Sequence, residues 1–255
     1  MSKKYSNFFY DEMKDSSLSS AKVVVPIVME YVNPKSVIDI GCGTGVWLKV
    51  FQDHGVSEIL GFDGSWVDND MLVIPRQFFF TQDLESSMDS SQKADLCVCL
   101  EVAEHLPDSM AKQLINKLTG IAPVVLFSAA IPFQGGSRHI NEQWPKYWEK
   151  LFNENGYAAV DSLRRKIWED ERVSFFYSQN IVFFVKKRNI SNYPKLENDL
   201  RAGLNSVIPL VHPRMYTYYA ERWRTIVPFL GKLPPWLLHF SKKVLNAIRK
   251  KNKNK

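Results

Sequence analysis

Apolar positions along the first three quarters of the chain follow two alternating rhythms. Between residues 18 and 32 they recur at three and four positions, the period of a helix facing a core. At Ser36–Ile40 they become a short continuous run, as in a strand buried on both faces. A helix over Val46–His54 follows, and strand-like runs return at Glu58–Phe62, Gln77–Thr81, Ala94–Leu100 and Pro123–Ser128. Helical spacing also fits 108–119 and 144–154. In the first of these Lys112, Gln113 and Asn116 take the solvent side, and Leu114 and Leu118 the inner one. After Gly156 the rhythm changes to two strands, Ala158–Leu163 and Asn180–Lys186, with no long helix between them. Strand–helix alternation closed by a hairpin predicts an α/β domain with a mostly parallel sheet and an antiparallel C-terminal edge.

Past Arg188 the pattern stops. Residues 189–235 hold six prolines and several aromatics without strand–helix alternation, and 236–249 read as an amphipathic helix opened by Trp236. Two segments are therefore expected: a catalytic domain over 1–188, and an accessory region over 189–255 ending in a basic helix. Charge sharpens that division. The chain carries +6, but residues 242–255, with Lys242, Lys243, Arg249, Lys250, Lys251, Lys253 and Lys255 and no acid, supply +7, so the other 241 residues sum to −1. A catalytic domain without net positive charge argues against a nucleic-acid partner, because phosphate neutralisation dominates such binding. The basic helix instead suits peripheral contact with an anionic membrane surface.

No apolar run reaches the ~18 residues of a bilayer span, and no secretory signal is recognisable at the start. A cytoplasmic protein is expected, touching the membrane only at its surface. Cys42, Cys97 and Cys99 fit buried thiols in a reducing compartment.

The candidate chemistry begins where the first strand ends, in Val37-Ile38-Asp39-Ile40-Gly41-Cys42-Gly43-Thr44-Gly45. Glycine at every second position lets a backbone turn and approach a ligand closely. Alone this is weak, but acids follow in register. Asp63 closes the second strand, where a carboxylate can accept from ribose hydroxyls, and Asp83 follows the third, where it can accept from an adenine amino group. The spacing lacks the G-x-G-x-x-G of NAD-binding loops.

This ordered set resembles the class I S-adenosylmethionine-dependent methyltransferases over residues 18–188. The resemblance implies a Rossmann-like seven-stranded sheet and S-adenosylmethionine as cofactor. Its implied cofactor residues are Asp39, Gly41, Cys42, Gly43, Gly45, Asp63, Gly64, Asp83, Leu84 and Glu101.

Beyond the fifth strand the chain reads His139-Ile140-Asn141-Glu142-Gln143-Trp144-Pro145-Lys146-Tyr147-Trp148. The motif H-x-N-E-Q-W-P-x-Y-W resembles a bacterial methyltransferase subfamily often associated with surface-polysaccharide biosynthesis. That resemblance implies a sugar hydroxyl of a glycan or lipid-linked saccharide as acceptor, contacted by Asn141, Glu142, Gln143 and Trp144. A hydroxyl needs a general base, and histidine suits neutral pH. His139 is the first candidate and His105 the second. Tyr147 and Trp148 share a helix stripe with Trp144, so packing is their plainer role, and only Trp144 is expected at the acceptor.

Glu101, Glu104 and His105 would share one face if they lay on a helical turn. With His139 they would form a mixed N/O site for Mg²⁺, Mn²⁺ or Zn²⁺. Small-RNA 2′-O-methyltransferases use a similar pattern, which makes an RNA 2′-hydroxyl or another small-molecule hydroxyl the alternative acceptor. A module that keeps the fold without turnover is the third reading, and the intact glycine loop opposes it.

Overall fold

The computed structural model describes residues 7–84 and 92–230. Eight α-helices and seven strands occur among them. They are α1 (Asn7–Val32), β1 (Ser36–Ile40), α2 (Val46–Asp53), β2 (Glu58–Asp63), β3 (Phe79–Thr81), β4 (Leu96–Leu100), α3 (Asp108–Ile121) and β5 (Val124–Ser128). Then come α4 (Pro145–Glu154), β6 (Tyr157–Val160), α5 (Arg164–Ile167), α6 (Phe175–Asn180), β7 (Val182–Lys186), α7 (Pro194–Arg201) and α8 (Pro213–Leu230). The strands form one sheet in the order β3-β2-β1-β4-β5-β7-β6. β7 lies antiparallel between β5 and β6, and the remaining pairings are parallel. This is the expected Rossmann-like α/β sheet.

Period-two alternation builds a core on each face. From β4, Leu96, Val98 and Leu100 join one cluster, together with Val37 of β1, Val50 and Phe51 of α2 and Val24, Val25 and Val28 of α1. Cys97 and Cys99 point the other way, to Leu114, Ile115 and Leu118 of α3 and Phe152 of α4. There Phe152 stacks on Phe184 of β7 with ring centroids 3.8 Å apart. Each such fully buried ring contributes about 1.5–3 kcal/mol. The three cysteines are buried and free, in line with small apolar packing units.

The sheet reverses its winding between β1 and β4, so their carboxyl ends open a cleft at a topological switch point. That is where the glycine loop and the Glu101–His105 segment meet.

The compact unit runs to His212, and a second begins at Pro213. The composition break at 188 thus falls inside the first unit. The segment beyond it is pinned in place: Leu196 and Val207 are fully buried, the Asp161 amide donates to the Leu204 carbonyl, and the His212 amide donates to Gln179 Oε1. Helix α7 was not foreseen, because its eight residues are mostly polar and bury only Leu196. Helix α8 belongs to the second unit and exposes Tyr216, Tyr218 and Trp223. The expected helix over 236–249 and the basic end lie outside the described residues. Among the described residues no helix is long and apolar enough to cross a membrane.

Arg164, the first of the run Arg164-Arg165-Lys166, is buried to 1% exposure. Its guanidinium forms a fork with the Asp161 carboxylate through Nε at 2.8 Å and Nη2, and its Nη1 donates to the carbonyls of Gln179 and Ile208. Removing one partner of a buried pair strands the other charge at a cost of about 3–5 kcal/mol. Arg164→Ala should therefore lose about that much stability in urea unfolding, and Asp161→Asn should soften the loss in the double variant. A cost under ~1 kcal/mol would place the pair among ordinary surface contacts.

Candidate active site

The glycine loop divides into packing and binding positions. A Cβ on Gly41 would lie 2.3 Å from Val102 Cγ2, and one on Gly45 would lie 2.7 Å from Ile74 Cγ1, so those glycines serve close packing. A Cβ on Gly43 would meet nothing within 4 Å. Gly43 thus faces open space, at φ +54°. Asp63, nearly buried at the end of β2, holds the loop beneath it. Its Oδ2 accepts from the Gly43 amide at 2.7 Å and its Oδ1 from the Gly64 amide at 2.6 Å. Gly64 is required there as well, because a Cβ would overlap the Trp66 ring at 2.1 Å. Asp39 sits at the end of β1 with only 3% exposure. Burial, and then the Asp63 carboxylate, push its carboxyl well above the usual range. A cation arriving above the loop would relieve both costs. Cys42 is buried, with Sγ 2.7 Å from where a Gly61 Cβ would stand, so it packs under the loop. Asp83 is exposed and Leu84 half-buried just past β3, on the same carboxyl edge.

Across the cleft Glu101 does not lie on a helical turn with Glu104 and His105, so the condition for a shared face is not met. It adopts a left-handed backbone at φ +54°, and the 3-10 turn begins only at Ala103. The reason is local. The chain must leave β4 and bend at once, and the Glu101 amide is fixed by the Ser128 carbonyl and hydroxyl. The carboxylate then accepts from Asn180 Nδ2 at 3.1 Å and Gln134 Nε2 at 2.8 Å. Burial raises its carboxyl, while these amides and Ser128 oppose the shift.

Glu104, His105 and His139 do converge. Each offers a ligand atom, and these atoms all lie within 4.8 Å of one another. The His105 and His139 rings meet edge to face with centroids 4.9 Å apart. Glu104 is completely buried. One oxygen accepts from the Ala130 amide at 3.2 Å, and Oε2 faces no hydrogen-bond donor. Burial and the neighbouring Glu101 carboxylate push its carboxyl well above the usual range. Asn141 Nδ2 is likewise buried without an acceptor. Two complementary polar atoms are thus left unserved in this cleft, an arrangement the native fold avoids unless a ligand or water completes it.

The loop after β5 assigns its residues differently from the sequence reading. Asn141 is buried at 3% exposure and braces the loop, its amide donating to the Glu104 carbonyl and its Oδ1 accepting from Gln143 Nε2. The Gln143 amide donates to the Ala130 carbonyl. Glu142 turns inward and clamps backbone amides. Trp144 alone of the four presents a large apolar surface, at 42% exposure, while Trp148 is buried at 2%. Phe133 and Ile140 on the same loop are also exposed, at 85% and 65%. Sequence reading missed Gln134 and Asn180, the partners of Glu101. Neither stands at a spacing that signals chemistry, and they meet only because β7 inserts beside β5.

A family model described as a methyltransferase domain matches residues 27–168. No curated protein matches the chain. Solved structures resemble it at low identity. The methyltransferase domain of bacterial CtHen1 is 22% identical with a TM-score of 0.47, over 65% of this chain and 97% of that one. Human N-acetylserotonin methyltransferase in complex with SAM is 14% identical with a TM-score of 0.48, over 70% and 55%. Magnesium protoporphyrin IX methyltransferase from Synechocystis, with bound SAH, is 20% identical with a TM-score of 0.49, over 71% and 89%. With its match spanning more than half of the residues and its seven-stranded sheet in the order described, the chain belongs to the methyltransferase domain family and is a class I S-adenosylmethionine-dependent methyltransferase.

Proposed function

We propose that the protein is an O-methyltransferase whose acceptor is a sugar hydroxyl, with His139 as general base. The observation that carries this reading is the meeting of Glu104, His105 and His139 within 4.8 Å at the carboxyl end of the sheet. On the same loop the half-exposed Trp144 offers the apolar face of a carbohydrate platform. S-adenosylmethionine supplies a methyl group on a sulfonium. His139 takes the hydroxyl proton as the acceptor oxygen forms its bond to that carbon and the carbon–sulfur bond breaks, leaving S-adenosylhomocysteine. Asp63 and Asp83 would receive the ribose and adenine, Asp39 the ammonium side, and Gly43 the closest backbone approach.

The glycines separate binding from packing. Gly43→Ala should weaken cofactor affinity at least tenfold in calorimetry, with a loss in melting temperature limited to the backbone strain of its positive φ. Gly41→Ala should instead lower the melting temperature by several degrees, because the Cβ must displace Val102. Equal cofactor affinity in the Gly43 variant would remove that position from the site.

Turnover tests the base. His139→Ala should lose ~10²-fold or more in methyl transfer while still binding cofactor. The assay is label passing from tritiated S-adenosylmethionine to surface glycan extracted from cells lacking the protein. Unchanged transfer would leave His139 a loop brace, and unlabelled glycan with labelled RNA would turn the acceptor to the 2′-hydroxyl.

A second reading adds a divalent cation, favoured by the unserved Glu104 Oε2. One carboxylate and two imidazoles suit Mn²⁺ or Zn²⁺ better than Mg²⁺, which prefers oxygen donors. Glu104, His105 and His139 would hold it, with Glu101 outside that set, and it would polarise the acceptor oxygen. Without a cation, the raised Glu104 carboxyl keeps its proton at pH values where the unfolded chain has lost it. The native state then binds more protons, and stability falls as pH rises above the usual carboxylate range. Glu104→Gln should therefore raise the melting temperature at neutral pH in chelator. Mn²⁺ should raise it in the wild type and leave the variant unmoved. Full methyl transfer in excess chelator, with no melting shift on adding Mn²⁺, would end the cation reading.

A further inference from the structure

We propose that Glu142 is a positioning residue that fixes the tautomer and orientation of His139; this rests on the reading of His139 as the base. Glu142 lies three residues after the histidine on the loop that follows β5. Its Oε1 stands 3.1 Å from His139 Nδ1 and also accepts from the Gly135 amide at 2.8 Å. Its Oε2 accepts from the Phe133 amide at 2.7 Å. Two backbone donors therefore hold the carboxylate before the imidazole meets it. The carboxylate offers no proton of its own, so the imidazole nitrogen facing it must carry one. With Nδ1 protonated, the lone pair of the neutral ring lies on Nε2, the nitrogen able to take a proton from the acceptor. A carboxylate behind a histidine stabilises that tautomer and the imidazolium formed during transfer.

The ring is also seated sterically. A Cβ on Gly136, whose φ is +154°, would lie 2.3 Å from His139 Nε2. The imidazole therefore rests against the one residue type that leaves it room. It also meets the His105 ring edge to face. Side-chain exposures of 12% for His139 and 20% for Glu142 keep most water from competing for the bond. Phe133 takes φ +67° and stands 85% exposed, although a phenylalanine rarely adopts that backbone. Glu142 is what its amide binds there. The same carboxylate thus sets the turn that walls the base and the direction of the base itself.

The test pairs structure with turnover. Nitrogen NMR of isotope-labelled histidine, with His139 assigned from the His139→Ala spectrum, reads the tautomer without any acceptor. Wild type should show His139 with Nδ1 protonated. Glu142→Ala should lose that preference and at least tenfold in methyl transfer to extracted glycan, with cofactor affinity within twofold of wild type. Because the alanine variant also frees two amides, Glu142→Gln and Glu142→Asp accompany it, and turnover across the series should follow the Nδ1-protonated population. Full turnover with His139 in the opposite tautomer would overturn the proposal, as would lost turnover with the tautomer intact. If His139→Ala itself keeps full turnover, the base reading fails, and the NMR still decides whether Glu142 orients the ring.

Discussion

Burying the Glu104 carboxylate is the constraint around which the candidate site is built. Taking an ionised carboxyl out of water costs several kcal/mol unless partners replace the lost hydration. Here the fold supplies them only in part. The Ala130 amide serves one oxygen, and the Glu104 carbonyl in turn accepts from the amides of Ile140 and Asn141. A single residue on the turn after β4 therefore anchors both the start of the loop after β5 and a stretch close to its end. The other oxygen is buried without a hydrogen-bond partner. Stability is spent at the place where a ligand can return it, which is a common signature of a functional site.

Much of the fold was legible because its signals are local and repeated. Strand β1 matched its expected limits, and β2, β4 and β5 began or ended within two residues of theirs, since a continuously apolar run bounded by turns has few other readings. The order of the last three strands is a different kind of fact. That β7 inserts between β5 and β6 depends on pairing across the sheet, which no window of sequence displays. The consequence reaches the site, because this insertion brings Asn180 to Glu101. The short helices α5 and α6 and the buried Arg164 were hidden for a related reason. A charged triplet reads as surface until Asp161 and two carbonyls are placed around it.

The site shows where sequence motifs stop being informative. Alternating glycines suggested a loop of close approach to a cofactor, and Val102 and Ile74 are what press on two of them. Only Gly43 borders open space. Helical spacing suggested a common face for Glu101, Glu104 and His105, yet one left-handed residue at Glu101 cancels the periodicity on which that inference depends. The polar run Asn141-Glu142-Gln143 suggested three hands held out to an acceptor. Two of them are occupied by each other and by the backbone, and the third grips the loop and the histidine.

These reversals share a physical cause. A long loop at the carboxyl edge of a sheet has no ladder to satisfy its amides, so its own side chains must do so before any can serve a substrate. In this loop Glu142 answers Phe133 and Gly135, and the Glu104 carbonyl answers Ile140 and Asn141. What remains outward combines the apolar Phe133, Ile140 and Trp144 with Ser137 and Arg138. What remains inward and unserved is polar: Glu104 Oε2 and Asn141 Nδ2. An acceptor suited to that division presents an apolar face to the rim and a hydroxyl to the interior. A pyranose ring has both, with its C–H face stacking on an aromatic and its hydroxyls projecting from the edge. A nucleic-acid backbone fits less well, because the chain ahead of its basic end carries no net positive charge to meet phosphates.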